Sequence, residues 1–102
     1  MGFVIHSDGR GATVYLSGDI DEHAATVMRA DMDIKLSAVS RGTVIFDFSG
    51  VIFVDSTGLG FILGRYKKLK SRGVETCIGE VTPIVDKVFK ASGVYSVCPK
   101  IK

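Results

Sequence analysis

An α/β fold is predicted: a single domain, residues 1–102, built on a mixed, mostly parallel sheet of four to five strands with three to four helices. Three observations predict it. A chain of 102 residues is one domain by size, near the lower edge of what buries a self-sufficient core. Two apolar segments at the start are separated by Ser7-Asp8-Gly9-Arg10-Gly11, the turn chemistry of a hairpin. After them, strand-like apolar runs alternate with segments of helical period, the order produced by parallel strands joined through right-handed crossovers, with the first strand antiparallel at or near one edge.

Each element has its own signal. Phe3 to His6 reads as the first strand, and Ala12, Val14 and Leu16 alternate with Thr13, Tyr15 and Ser17 in a second that ends at Gly18. The acidic run Asp19-Ile20-Asp21-Glu22 leads into a helix of about Glu22 to Val39, with Ala24, Val27, Met28, Ile34 and Ala38 expected on one face. Carboxylates at that entrance complement the helix dipole. Ser40-Arg41-Gly42 breaks the pattern before a third strand, Thr43 to Phe48, whose near-continuous apolar character suits a strand covered on both faces. Ser49 to Val54 is expected to be a connection whose large apolar side chains plug one end of the sheet.

The best helical periodicity comes next, with Leu59, Ile62, Leu63, Tyr66 and Leu69 on one stripe and Gly73 as the left-handed residue that closes the helix. Val74 to Ile78 is a fourth strand. Thr82-Pro83 supplies an N-cap and proline at the first helical position, Ile84, Val85, Val88 and Phe89 the buried stripe, and Gly93 the stop. Tyr95 to Val97 is expected to form a last short edge strand. The chain contains no internal repeat, low-complexity tract or linker.

Composition excludes several function classes. Hydrophobic residues at 46% and charged ones at 24% describe an ordinary globular domain. The net charge of +2, from 13 basic and 11 acidic side chains, is too even for the one-signed field of a nucleic-acid or membrane-surface binder. Lys67, Lys68, Lys70 and Arg72 cluster, but at the end of a predicted helix, where cations offset the negative end of the dipole. Cys77 and Cys98 show no metal-ligand or CxxC spacing, which suits two buried thiols in a reducing compartment. Neither a secretory signal nor a run near the ~20 apolar residues of a membrane span is visible, so a cytoplasmic protein is expected.

Asp55-Ser56-Thr57-Gly58 is the segment with chemical content. Ser or Thr ahead of a periodic apolar run is first of all an N-cap. Capping leaves unexplained why two adjacent hydroxyls are flanked by an aspartate and two glycines. Gly58 and Gly60 also remove side-chain bulk around a helix entrance whose free N–H groups favour an anion. Both readings stand on residue types alone.

Asp55-Ser56-Thr57-Gly58-Leu59-Gly60, followed by Phe61-Ile62-Leu63-Gly64-Arg65-Tyr66-Lys67, resembles the signature of the STAS domain, and within it the anti-anti-sigma factors of the SpoIIAA type. Leu16-Ser17-Gly18-Asp19-Ile20-Asp21 is similar to that family's second strand and turn, Val44 to Phe48 to its central strand, and Pro83, Val88-Phe89 and Ser92-Gly93 to its third helix. The resemblance implies a binding protein rather than an enzyme, with no cofactor. It implies that Ser56 is phosphorylated by an anti-sigma factor that is also a serine kinase, of the SpoIIAB type, and reset by a serine phosphatase. It further implies that Thr57 fills a second hydroxyl position, that Asp21 lies beside the phosphoacceptor, and that Asp21, Asp55, Ser56, Thr57, Gly58, Leu59 and Gly60 meet the partner. Family members commonly carry a further C-terminal helix beyond the point matching Lys102.

A small nucleotide-binding domain is the alternative, because Gly58, Gly60 and Gly64 open a helix after a strand and Glu80 comes about twenty residues on. Against it, about ten residues stand between Phe48 and Gly58, where a dinucleotide fingerprint turns straight from strand to glycine. Close helix packing is expected to explain Gly64. A serine hydrolase lacks both the GxSxG elbow and a histidine near Ser56, since His6 and His23 fall in the first strand and first helix. His23 lacks the companion donors of a metal site, and Asp47 is expected to bond local backbone rather than share magnesium with Asp55.

Overall fold

The computed structural model describes residues 2–101. The elements run β1 (Gly2–Asp8), β2 (Gly11–Ile20), α1 (Glu22–Leu36), β3 (Thr43–Val54), α2 (Ser56–Ser71), β4 (Glu75–Val81), α3 (Pro83–Ser92) and α4 (Val94–Val97). The sheet order is β1-β2-β3-β4, with β1 antiparallel to β2 and the remaining pairs parallel. The predicted α/β class and the antiparallel edge strand are therefore observed.

Register explains where the core lies. Ala12 pairs with Val44 and Val14 with Phe46, which in turn pairs with Ile78, so these side chains share one face of the sheet. All of them are buried, together with Phe48, Ile62, Leu69, Val85 and Phe89. On the opposite face Val4 and Tyr15 are exposed and Ile45 and Asp47 only half-buried. β3 is thus fully covered on one face, not on both as its apolar run suggested. Phe89 from α3 seals the core by edge-to-face contacts, 5.0 Å from Phe48 and 5.8 Å from Tyr95 between ring centroids.

Several expectations are corrected. Residues 49–54 are not a loop: β3 continues to Val54, with register shifts between Phe46 and Phe48 against β4 and at two points against β2. Such bulges turn the strand and change which side chains point inward. Val51 and Val54 are buried as expected of a plug, whereas Ile52 and Phe53 are exposed. α1 ends at Leu36 and buries Ala24, Met32 and Leu36, with Ala25 and Met28 packed at the margin. Val27 and Ile34, expected inside, are 57% and 70% exposed, and Ala38 lies beyond the helix. The buried row steps by four from Ala24, and Val27 and Ile34, seven residues apart and so stacked on one face, lie to one side of it.

α2 buries Gly58, Phe61, Ile62, Arg65 and Leu69, so the stripe includes an arginine that apolar periodicity passes over. Gly73 closes the helix at φ 79°, with Val74 N–H donating to Leu69 O at 3.0 Å. In α3, Ile84 is exposed while Val85 and Phe89 are buried. Tyr95 to Val97 belongs to α4, not to a strand. The left-handed Gly93 ends α3 and starts this short turn, which buries Val94 and Cys98. The edge contact comes later, where Ile78 N–H donates to Pro99 O and Ile101 N–H to Ile78 O, each at 2.8 Å. Cys77 and Cys98 are free and buried, and burial raises both thiol pKa values. Among the described residues no helix is long and apolar enough to cross a membrane.

Candidate functional site

β2 and β3 run parallel and end level with one another, Ile20 opposite Val54. Each chain passes straight into a helix through an aspartate in extended conformation. Asp21 Oδ1 accepts from Ala24 N–H at 2.9 Å and caps α1; Asp55 Oδ1 accepts from Gly58 N–H at 2.7 Å and caps α2. Asp55 N–H donates to Ile20 O at 3.3 Å, which ties the second entrance to the end of β2.

This geometry corrects the expectation that the Ser-Thr pair would cap α2. Asp55 is the N-cap, Ser56 the first helical residue and Thr57 the second. Both residues are exposed, and among the described residues none hydrogen-bonds either hydroxyl. The backbone N–H groups of Ser56 and Thr57 have no helical acceptor, because no turn precedes them. An oxyanion at this end of α2 would meet those donors and the positive end of the dipole.

Gly58 sets how closely the entrance approaches the sheet. A Cβ there would lie 1.9 Å from Ile20 O, so only glycine lets α2 start against the last carbonyl of β2. Gly58 is accordingly buried, Leu59 half-buried and Gly60 exposed. Asp21 and Asp55 line one shallow, open depression with Glu22, His23 and Thr26. Thr57 and Gly60 border a neighbouring groove between α1 and α2. The elements therefore bring Asp21, Asp55, Ser56, Thr57 and Gly60 to one end of the molecule.

The remaining candidates lie elsewhere. Asp47 accepts from Ser49 N–H at 2.9 Å and from Ser49 Oγ at 2.6 Å, the local bonding expected of it. Among the described residues no group of three or more His, Cys, Asp or Glu could hold a metal ion. The spacing argument against a nucleotide site needs correction, because β3 reaches Val54 and only Asp55 to Thr57 separate strand from Gly58. Gly58 nonetheless faces Ile20 and its N–H is taken by Asp55, so it does not cradle a phosphate. Gly64 is not explained by close packing: a Cβ there would meet nothing within 4 Å.

Arg65 is a residue that the sequence pattern does not single out. It is buried on α2 with Nε 2.6 Å from Asp33 Oδ1 and its guanidinium carbon 5.0 Å from the Phe61 ring centroid. Burial lowers its pKa, opposed by Asp33 and reinforced by Arg29. The available signal was its place, three residues after Ile62 and four before Leu69, inside an apolar stripe. Of the basic cluster, Lys68 pairs with Asp33 at 2.8 Å, and Arg72 donates to Leu36 O and Ser37 O at the end of α1.

Comparison with known proteins agrees with this architecture. Residues 4–102 match the family described as the STAS domain. The chain is 34% identical over 86 residues to an anti-sigma F factor antagonist of Paenibacillus polymyxa, covering 84% of this chain and 74% of that one. Its structure is similar to that of the anti-sigma factor antagonist SpoIIAA in its unphosphorylated form, with TM-score 0.79, 28% identity and coverage of 99% of this chain and 89% of that one. The similarity extends to the Bacillus cell fate determinant SpoIIAA in the phosphorylated form, at TM-score 0.70, 30% identity and coverage of 99% and 92%.

Proposed function

We propose a function from one premise: this chain belongs to the STAS domain family. It acts as an anti-sigma factor antagonist. Unphosphorylated, it binds an anti-sigma factor that is also a serine kinase, and so releases a sigma factor; phosphorylation of Ser56 switches that binding off, and a serine phosphatase restores it. The similarity to SpoIIAA and to a sigma F antagonist favours sporulation control in a bacterial cytoplasm.

One observation supports a hydroxyl at this entrance as the acceptor, and the position directly after Asp55 selects Ser56 over Thr57. Asp55 supplies the cap, so the Ser56 hydroxyl at the first position of α2 is exposed and has no structural duty. Within the protein, a phosphate there is tolerable because free helix N–H groups face it. At an interface its added charge of about −1.5 to −2 must be desolvated beside Asp55 and near Asp21. A penalty of roughly 3 to 4 kcal/mol weakens affinity by two to three decades, enough to release a partner. The fold need not change, since a local charge event suffices when two proteins compete for one surface.

Incubation with ATP and an anti-sigma kinase, read by mass spectrometry, tests the site. One phosphate on Ser56, abolished in Ser56→Ala, is expected; an unmodified Ser56, or phosphate confined to Thr57, would overturn the assignment. Ser56→Asp, which imitates part of the charge, is expected to weaken kinase binding in calorimetry while leaving thermal stability nearly unchanged. Wild-type affinity in Ser56→Asp would refute the electrostatic account.

A further inference from the structure

The two edges of the sheet are finished differently. At β4 the C-terminal segment closes the edge through the bonds of Ile78 with Pro99 and Ile101, and the exposed Glu75 and Glu80 charge the strand. At β1, among the described residues, no backbone hydrogen bond reaches Gly2–Asp8 from anywhere but β2, so every second N–H and C=O faces outward. The strand pairs with β2 over seven residues without a bulge and holds no proline, lysine, arginine or glutamate. Those are the devices that ordinarily protect a free edge from pairing. Its one carboxylate, Asp8, is the last residue.

Beside this edge, β1 and α1 leave an open groove of about 560 Å3, with Phe3, Ile5, Ile34 and Ala38 in its lining. Phe3 and Ile5 stand opposite Leu16 and Val14 on the core face, yet they are only half-buried where those two are buried. Ile34 is 70% exposed on the helix side of the edge and Val4 67% exposed. The core layer therefore stops short at β1, and one more strand would complete both the hydrogen-bond ladder and the apolar cover.

We infer that the missing strand is β1 of a second copy of this chain, antiparallel about a two-fold axis through Ile5, so that two four-stranded sheets join into one of eight. Ile5 is the middle of the seven residues, and this register pairs all of them: Ile5 with Ile5, Val4 with His6, Phe3 with Ser7 and Gly2 with Asp8. Charge selects this occupant. Asp8 of each copy comes to the Gly2–Phe3 end of the other, where Lys35 Nζ lies 5.2 Å from the Phe3 ring centroid. Opposite charges thus share each end of the joint, whereas parallel pairing in register would set Asp8 against Asp8. β2 and β3 run on past β1 to Ile20 and Val54, so the joint leaves both Ser56 entrances free, turned to opposite ends of the dimer. The pairing does not require Ser56 to be a phosphoacceptor, so either reading can fail without the other.

Sedimentation equilibrium of the full chain, from about 10 μM to about 1 mM, tests the pairing. A monomer–dimer equilibrium is expected, with amide hydrogen exchange of the 15N-labelled chain slowing at alternate β1 residues as concentration rises. Val4→Lys and Ile34→Lys, both at exposed positions, should each weaken association at least about tenfold while the dilute chain keeps its melting temperature. Ile84→Lys, at an exposed apolar position on α3, should leave association unchanged. A monomer throughout the range, association that survives Val4→Lys and Ile34→Lys, an equal loss in Ile84→Lys, or exchange that slows at residues 49–54 and not in β1 would overturn the proposal. Masses beyond the dimer would overturn its two-fold closure.

Discussion

Two helices start at the same end of the sheet, α1 after β2 and α2 after β3, and each is entered through an extended aspartate whose Oδ1 accepts from the N–H three residues on. Beyond the caps the two entrances differ. α1 continues with Glu22, His23 and Ala24, whereas α2 continues with Ser56, Thr57 and Gly58. The shared aspartate shows that capping needs no hydroxyl at either entrance. Hydroxyls at the first two positions of α2 are therefore surplus to folding, and Gly58 draws them toward the end of β2 in a way that Ala24 does not require. A structural duty common to both entrances separates cleanly from a chemical endowment present at one.

Gly58→Ala should break the comparison most severely. Its methyl group would collide with Ile20 O, displacing the start of α2 at a cost of about 2–3 kcal/mol in urea unfolding, with loss of partner binding beyond what instability explains. Ala24→Gly at the matching position of α1 should cost no more than about 1 kcal/mol. Asp21→Ala and Asp55→Ala should each cost about 1 kcal/mol by the same measurement, since the two caps have the same geometry. Markedly unequal losses would show that one aspartate does more than cap.

The smallest effect concerns a helix without a carboxylate cap. Thr82 stands at the N-cap of α3 but makes no side-chain cap; its hydroxyl donates to Val51 O at 2.8 Å. The acid sensitivity of this region comes instead from Asp86, which accepts from Tyr95 Oη at 2.6 Å and pairs with Lys90 at 3.0 Å. These partners, Tyr95 foremost, hold the Asp86 pKa below the usual carboxylate range, and burial with the bond to Asp86 raises that of Tyr95. A depressed folded pKa contributes stability above the unfolded value near 4 and loses it as pH falls through the folded one. Tyr95→Phe should flatten that acid-side decline in a melting-temperature profile below about pH 4.

Much of this was legible along the chain. The hairpin signal at residues 7–11, the alternation in β2, the stop at Gly73 and the Thr82-Pro83 start of α3 all depend on local stereochemistry, and each element stands where those residues indicated. Less legible were the features set by neighbours distant in sequence. Val27 and Ile34 are apolar, and nothing local says that α1 would rest on the neighbouring row of Ala24, Met32 and Leu36 instead. Residues 49–54 carry the polar-glycine start of a loop, yet pairing with β2 draws them into a bulged strand. Tyr95 to Val97 would suit a strand, but Gly93 turns them into a helix that seats Cys98 in the core.

The sequence by itself determined the α/β class and the order of elements as far as α3, because period and turn residues are properties of neighbours along the chain. Tertiary structure alone decided that Asp55 rather than Ser56 would cap α2, that Gly58 would press against Ile20, and that Arg65 would be buried with donors unpaired. Each of those outcomes depends on which strand end, carbonyl or carboxylate lies across the gap, and only the packed sheet and helices place them there.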